Sequence, residues 1–186
     1  FLVMVKFMNK HPQAVATTCR VELANGHLDQ ACHRGFPTPW RAFCHFTGLE
    51  KLFPRSSFCS GYILGFKRLD KIHEIEAGCG AFLLVRRQAG QAINWWDEDY
   101  FWYGEDLDFC YRLKKRGGKI YFVPQVKIIH YKGAASGIKK QSQSLSKAAK
   151  ATRLRSVKAS IEVMRIFYRK HYLEKYPRWV TWLVMK

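Results

Sequence analysis

The sequence predicts an α/β domain, in which a mixed β-sheet is flanked by helices and followed by an amphipathic C-terminal helix. Strand-like segments alternate along the chain with segments whose apolar residues recur at helical spacing. The chain has 186 residues, of which 48% are hydrophobic, and this is enough to form a domain with a buried core. The composition excludes disordered and low-complexity classes.

The N-terminal part of the chain predicts a helix and then a β-hairpin. Residues 1–10 place apolar side chains at helical spacing, and the helix is expected to end before Pro12, which disfavours helix in the preceding residue. Residues 14–23 favour a β-strand. The Asn25-Gly26 dipeptide that follows is typical of a tight hairpin turn.

The middle of the chain predicts a surface connection and a buried strand. Residues 36–60 are aromatic and punctuated by proline, which fits a mobile lid or surface segment with a short helix from Pro39 to about Leu52. The apolar run Phe82–Val85 follows a glycine-rich stretch and predicts a buried strand. The nearby glycines allow a backbone or a ligand to approach closely.

The strongest local signal predicts a helix from Glu105 to Arg116. Its acidic residues lie in the first turn and its basic residues in the last turn, which matches the helix dipole, and Gly117-Gly118 provides a C-terminal cap. Two short strands are expected next, residues 120–123 and 126–130, separated by Pro124.

The charge of the chain is unevenly distributed. There are 32 lysine and arginine residues against 14 acidic residues, a net charge of +18, and residues 139–186 alone carry thirteen basic and two acidic residues. Such a basic region suggests an anionic surface as partner, either phospholipid headgroups or nucleic acid. Six acidic residues crowd instead into one window: Asp97, Glu98, Asp99, Glu105, Asp106 and Asp108.

This acidic window contains the candidate catalytic residues. A carboxylate at a helix N-terminus is stabilised in its anionic form, so Asp106 is a candidate general base; the alternative is that Glu105 and Asp106 serve only the helix dipole. Four aromatic residues precede them, and their flat faces suit sugar rings as well as core packing: Trp95, Trp96, Phe101 and Trp102.

A histidine at the end of a predicted strand is a second candidate. His130 lies where open α/β sheets place ligand groups, and a neutral imidazole can bind a divalent metal; a purely structural role is the alternative. The six cysteines have no paired zinc-ligand spacing and are expected to be reduced thiols, as in the cytosol.

Three blocks occur in order along the chain: GCGAFLLVRR, WWDEDYFWYGEDLDFCYRLKKRGGKIYFVP and VKIIHYKGAASG. In sequence and spacing they resemble the acceptor-binding half of family 2 glycosyltransferases of the GT-A fold, and in particular bacterial rhamnosyltransferase-like members that build surface polysaccharide. The resemblance covers roughly residues 1–137. It implies a partial, Rossmann-like GT-A sheet over residues 1–138. The charge and helical spacing of residues 139–186 predict a basic, amphipathic helical extension after it.

The resemblance also implies a role for each matching residue. Asp106 corresponds to the catalytic base, which deprotonates an acceptor hydroxyl so that it attacks the anomeric carbon with inversion. Glu105 and Asp108 would orient that base or the acceptor, and His130 would join the metal and diphosphate site. Asp97 and Glu98 would contact the acceptor, and the aromatic faces of Trp96 and Trp102 would also bind substrate on that side. Gly80 and Ala81 would lie near the donor sugar.

A GT-A enzyme also needs an N-terminal half that binds the nucleotide and a DxD-type motif that holds Mg²⁺ or Mn²⁺. We expect both to lie outside this chain, since the DxD-like Asp97-Glu98-Asp99 falls in the acceptor loop. The chain alone is therefore expected to be inactive. Its expected partners are a nucleotide-sugar donor, a glycan or polyprenyl-linked acceptor and an anionic membrane surface.

The expected location is cytoplasmic, at the inner face of the cell membrane. The C-terminal helix, with Tyr176, Trp179 and Trp182 after it, either lies on that membrane or packs its apolar stripe on the domain. No nucleic-acid recognition motif occurs, so no nucleic-acid partner is expected. The alternative to an enzyme is a degenerate glycosyltransferase or a non-catalytic membrane-binding module.

Overall fold

The computed structural model of the protein describes residues 1–133 and 150–185, and these form two compact units. The first unit contains Phe1–Trp96 and Asp106–His130, and the second contains Asp97–Glu105 and Tyr131–Lys186. The domain boundary expected at residue 138 lies outside the described residues.

The first unit is built on a four-stranded mixed sheet, which confirms the predicted α/β class. Its strands are β1 (Ala14–Leu23), β2 (His73–Ile75), β3 (Leu84–Val85) and β4 (Lys119–His130), in the spatial order β2-β4-β1-β3. The two long central strands, β1 and β4, are parallel, and the short outer strands pair antiparallel with them. The carboxyl ends of β1 and β4 therefore meet at one edge, where Leu23 is opposite His130.

The prediction of two strands around Pro124 was wrong, because β4 continues past the proline. Along β1, the pairing moves directly from Cys19 opposite Val123 to Arg20 opposite Lys127. Residues 124–126 bulge out of the ladder at this point. Proline has no N–H group to donate, so a bulge accommodates it without ending the strand.

The predicted N-terminal helix and hairpin turn are confirmed. Helix α1 spans Leu2–Lys10 and packs its buried Met4 and Met8 into the unit. After β1 the chain reverses at Gly26, whose φ of 81° lies in the left-handed region that glycine adopts without strain. The N–H of Leu23 donates to the carbonyl of His27 at 2.7 Å and closes the turn.

The aromatic segment contains two helices where the sequence predicted one. Helix α2 spans Pro39–Thr47, and α3 spans Leu49–Leu52. Gly48 separates them with a φ of 79°, so the helical path is interrupted at the one residue that tolerates this conformation best. The Thr38 hydroxyl caps α2 by accepting from the N–H of Arg41 at 3.3 Å.

The predicted buried strand Phe82–Val85 is shorter and more exposed than expected. Only Leu84–Val85 pairs with β1, and both residues are half-buried, because β3 is an edge strand. Helix α4 (Arg87–Ala92) follows directly and was not predicted. Its polar sequence, RQAGQA, has no apolar periodicity that would have indicated a helix.

Helix α5 spans Glu105–Lys115, one residue shorter than predicted. Its buried face carries Leu107, Phe109, Cys110 and Leu113. The N–H of Gly117 donates to Lys114 and that of Gly118 to Leu113, and Gly117 has a φ of 83°. The expected glycine C-cap is therefore present.

The second unit contains α6 (Lys150–His171) and α7 (Arg178–Met185). The predicted amphipathic helix is confirmed in its described part. Val157 is 41% exposed, whereas Val163, Phe167, Tyr168 and Tyr172 are buried. Within the described part of the chain, no helix is long and apolar enough to cross a bilayer.

Candidate active site around Asp106

Asp106 lies in the first turn of α5, and both of its carboxylate oxygens accept a hydrogen bond. The Nη2 atom of Arg34 donates to Oδ1 at 2.8 Å, and the backbone N–H of Gly80 donates to Oδ2 at 3.1 Å. The Asp106 side chain remains 14% exposed. Two donors on different oxygens determine the plane of the carboxylate, which leaves its remaining lone pairs for a substrate.

Arg34 was not identified from the sequence, yet it makes the closest contact to Asp106. Its backbone pairs with Ala77, with an N–H to carbonyl distance of 3.2 Å in one direction and 2.9 Å in the other. Its guanidinium also reaches the carbonyl of Gly78 at 3.4 Å. Burial opposes the charge, but the Asp106 carboxylate and contact with Tyr62 hold the Arg34 pKa above its usual range. No motif or spacing in the sequence indicated this arginine.

The loop that follows Ala77 presents its backbone to Asp106. A side chain at Gly78 would contact Thr18 of β1 at 3.2 Å, so glycine lets the loop lie close to the sheet. The Thr18 hydroxyl donates to the carbonyl of Phe82 at 2.9 Å and holds the other end of the loop. Gly80 and Ala81, between these two points of the loop, are exposed.

His130 ends β4 and is bound to a buried carboxylate. Its Nδ1 atom lies 2.9 Å from Oδ2 of Asp29, which is 2% exposed and was not identified from the sequence. Asp29 in turn caps a short 3-10 helix (Gln30–Cys32) by accepting from the N–H of Ala31 at 3.1 Å. The pair lies beyond the meeting carboxyl ends of β1 and β4, where open α/β sheets place ligand groups.

Cys79 directly precedes Gly80, whose N–H donates to Asp106. Burial is the main cause that raises the pKa of the Cys79 thiol to about 11, and the negative charges of Asp106 and Asp29 raise it further. All six cysteines are free thiols, and Cys79 is among the buried ones.

The described residues do not fit a complete metal site. Mg²⁺ and Mn²⁺ prefer several oxygen ligands, and here the one carboxylate beside His130 is already engaged by the imidazole and by Ala31. Among the described residues, no group of three or more histidine, cysteine or acidic side chains could hold a metal ion. The metal role predicted for His130 therefore has no supporting ligand set within residues 1–133 and 150–185.

Asp108 lies two residues from Asp106 but in a different environment. Its side chain is fully buried, and its Oδ2 accepts from Nε of Arg112 at 2.6 Å. Arg112 also donates to the carbonyls of Ile93 and Trp95, at 2.7 Å for Trp95, next to residues with positive φ. This contact gives Asp108 a structural function beneath the Ile93–Trp95 turn and leaves its carboxylate no exposed surface for a substrate.

The other predicted acidic residues belong to the second unit. Asp97 and Asp99 form ion pairs with Lys170 at 2.6 and 2.5 Å, and Glu98 is exposed. Glu105 is the first residue of α5 and is half-buried. The Asp97 carboxylate is thus held by Lys170 within its own unit.

The predicted aromatic residues differ in their surroundings. Trp96 is 46% exposed and stacks on Phe109 with ring centres 4.4 Å apart, so one face of its indole is covered. Trp102 is half-buried beside Phe101, with ring centres 5.6 Å apart. Trp96 therefore keeps an accessible surface that could contact a sugar ring.

Comparisons with known proteins point to one family of enzymes. The model of a family described as "Glycosyl transferase family group 2" matches residues 62–149, which include the glycine-rich loop, α5 and β4. Rhamnosyltransferase WbbL of Escherichia coli strain K12 is 28% identical over 132 residues, which cover 70% of this chain and 46% of that protein.

A second relative comes from Mycobacterium tuberculosis. Its N-acetylglucosaminyl-diphospho-decaprenol L-rhamnosyltransferase is 41% identical over 58 residues, 31% of this chain and 19% of that protein. The chain thus spans about half the length, or less, of these curated relatives. The family match over residues 62–149 and these relatives support a family 2 glycosyltransferase that is similar to bacterial rhamnosyltransferases.

Proposed function

We propose that the full-length protein transfers a sugar from a nucleotide-sugar donor to a hydroxyl group of a lipid-linked or cell-surface glycan, with inversion at the anomeric carbon. The names of the relatives favour an L-rhamnosyl group as the sugar and a polyprenyl diphosphate-linked sugar as the acceptor. The observation that carries the proposal is the oriented, partly exposed Asp106 carboxylate at the start of α5.

Asp106 acts as the general base in this proposal. It accepts the proton of the acceptor hydroxyl as the acceptor oxygen bonds to the anomeric carbon. The bond from that carbon to the diphosphate oxygen breaks, and the nucleoside diphosphate leaves with the electron pair. Arg34 and the N–H of Gly80 hold the carboxylate in the orientation needed for proton transfer, which is a precondition for efficient base catalysis.

The donor side of the reaction needs residues beyond those described. The Asp29–His130 pair is proposed to contribute a polar group at the diphosphate end, because His130 lies where the carboxyl ends of β1 and β4 meet. Metal dependence on Mg²⁺ or Mn²⁺ is part of the proposal for the full-length enzyme. Its ligands would come from outside the described residues.

The test is sugar transfer by the full-length protein with Asp106→Asn. We expect the rate to fall by about 10²- to 10⁴-fold, since a general base contributes this much. Asp70→Asn is the matched control, because Asp70 is an exposed acid that pairs with Arg68 at the surface. A rate for Asp106→Asn within about threefold of wild type, a difference far below that range, would remove Asp106 from the role of base.

A second candidate function is membrane binding by α7. Trp179, Trp182 and Leu183 of this helix are between 58% and 66% exposed, and aromatic residues of this kind favour the bilayer interface. The aromatic residues of α6 are buried, so α7 rather than α6 would make the contact. Flotation with anionic liposomes tests it: equal binding by chains with and without residues 139–186 would contradict this role.

A further inference from the structure

Helix α2 exposes three aromatic side chains to solvent, while Arg41 and His45 make polar contacts with acidic residues. Trp40, Phe43 and Phe46 recur every three residues along it and are 41%, 51% and 84% exposed. Phe58 from the following loop is 66% exposed and lies 4.8 Å from the Trp40 ring. We call these four residues the aromatic patch: Trp40, Phe43, Phe46 and Phe58.

The inward side of the same helix is held by polar contacts. Arg41 forms a two-pronged ion pair with Glu76, with distances of 2.5 and 3.0 Å. A side chain on Gly61 would lie only 2.7 Å from Nε of Arg41, so the arginine is tightly enclosed. His45 contacts Glu50, which is 2% exposed, at 2.7 Å. This orientation is the reverse of an ordinary surface helix, which buries its apolar face.

The aromatic patch is ordered rather than loose. The rings of Trp40 and Phe43 stack with centres 5.5 Å apart, and the indole N–H of Trp40 donates to the carbonyl of Phe58 at 3.1 Å. These contacts hold the rings together in an exposed position. A contiguous apolar surface of this kind on a folded protein indicates a binding site for a partner that is itself apolar.

The charges around the aromatic patch indicate which apolar partner it binds. From Pro39 to Phe58 the exposed ionisable side chains are cationic, Lys51 and Arg55, because the one acid, Glu50, is buried. Leu52 and Phe53, between the two cations, are 72% and 54% exposed. Exposed aromatics interleaved with lysine and arginine complement a bilayer surface with anionic headgroups, where rings enter the interface and cations contact phosphates.

We propose that residues 39–58 form a membrane-docking surface that inserts the aromatic patch into an anionic lipid bilayer. The proposal deepens the proposed function, because it rests on an acceptor that is lipid-linked and would bring the site of the first unit to the membrane. It is independent of α7, which belongs to the other unit.

The experiment is vesicle flotation with the full chain. Wild type is expected to float with phosphatidylglycerol vesicles, and Phe46→Ser/Phe58→Ser is expected to reduce the bound fraction about tenfold or more. Leu2→Ser/Val3→Ser is the matched control, because both residues are exposed and apolar in the same unit but lie outside the patch. Circular dichroism shows whether the Phe46→Ser/Phe58→Ser variant is folded. If the folded variant floats as well as the wild-type protein, the proposal is wrong.

A second variant keeps the test decisive if the serine variant does not fold. Lys51→Glu/Arg55→Glu changes only exposed side chains and should weaken binding to phosphatidylglycerol vesicles about tenfold or more, since each cation near the surface contributes to binding. Unchanged binding would contradict the docking surface. Lipid-free self-association that requires Phe46, measured by sedimentation, would assign the patch to a second copy instead.

The outcome can be separated from that of the catalytic proposal. Asp106→Asn should float like wild type while losing transfer activity, because Asp106 is not part of residues 39–58. Loss of docking with intact transfer to a short, water-soluble acceptor would support the patch as a membrane contact. Activity of Asp106→Asn with normal flotation would contradict only the assignment of the base.

Discussion

Arg34 donates from Nη2 to Oδ1 of Asp106 at 2.8 Å across 72 residues of sequence. The arginine is 14% exposed at its side chain and is positioned by backbone pairing with Ala77. The same loop that pairs with Arg34 supplies the N–H of Gly80 to the other carboxylate oxygen. The pairing between Arg34 and Ala77 therefore brings both hydrogen-bond donors, the Arg34 guanidinium and the Gly80 N–H, to the candidate base.

This contact predicts that Arg34 positions Asp106 for catalysis. Arg34→Lys keeps a positive charge but loses the planar guanidinium, whose Nη2 atom contacts both Asp106 and the Gly78 carbonyl. We expect kcat to fall about 10- to 100-fold, with the KM for the nucleotide sugar within about threefold, since mispositioning a base affects the chemical step. Steady-state kinetics of the full-length protein measure both.

A double-mutant cycle distinguishes this role from a general structural one. In an Asp106→Asn background, Arg34→Lys should lower kcat by less than about twofold, because the carboxylate it orients is already gone. A full additional loss of activity in the double variant would show that Arg34 acts independently of Asp106.

Asp108 is expected to contribute to the stability of the first unit. Asp108→Asn leaves Arg112 without its charged partner in a buried position, and breaking such a pair lowers the free energy of unfolding by about 3 kcal/mol, or less here because Arg112 is 21% exposed. The melting temperature should therefore fall by about 5–10 °C. Asp70→Asn is the control, because Asp70 pairs with Arg68 at the surface; an equal loss of melting temperature in both variants would contradict the structural function of Asp108.

The His33–His73 pair predicts a loss of stability in mild acid. Their Nε2 atoms are 2.7 Å apart, and His33 is 2% exposed. Burial, followed by the charges of His73 and Lys67, lowers the pKa of His33 from 6.5 to about 4, and burial also lowers the pKa of His73. Between these pH values the unfolded chain binds a proton at His33 that the folded chain does not.

Stability should therefore decrease as the pH falls from about 6.5 to about 4, by up to about 3 kcal/mol from His33. Urea unfolding of the chain at several pH values across this window measures the change. His33→Asn should reduce the pH dependence, and His27→Asn is the matched loss of an exposed histidine. The same pH dependence in His33→Asn as in wild type would contradict the assignment.

Gly104 is expected to be essential to the packing of the second unit. It has a φ of 81°, and a side chain there would overlap Cγ2 of Val163 in α6. Gly104→Ala should lower the free energy of unfolding by about 2–4 kcal/mol, because of backbone strain and displacement of α6. Gly26→Ala is the matched control, because Gly26 has the same φ of 81° but open space around it.

Thermal unfolding compares these two glycine variants. Gly26→Ala should lower the free energy of unfolding only by the contribution of backbone strain, about 1 kcal/mol. Val163→Ala should restore part of the stability of Gly104→Ala, since it removes the overlapping methyl group. Equal destabilisation of the Gly104 and Gly26 variants would show that strain alone, without the contact to Val163, accounts for the effect.

The elements that the sequence predicted correctly are those with local physical causes. The Asn25-Gly26 turn and the Gly117 cap depend on backbone conformations that glycine adopts readily, and α5 begins and ends with charges that match its dipole. Asp106 could be chosen as a candidate base for the same reason, because its place at a helix N-terminus is a local property. Family resemblance added its expected role.

Only the tertiary structure decided which groups meet these residues. Asp29 contacts His130 across 101 residues of sequence, and Arg34 contacts Asp106 across 72 residues. Contacts so distant in sequence depend on the parallel pairing of β1 with β4 and on the loop pairing at Ala77. Asp106 and Asp108 are separated by two residues and therefore point to different sides of α5. Packing of that helix against the unit buried Asp108 and left Asp106 partly exposed, because the buried face follows from what surrounds a helix and not from its own sequence alone.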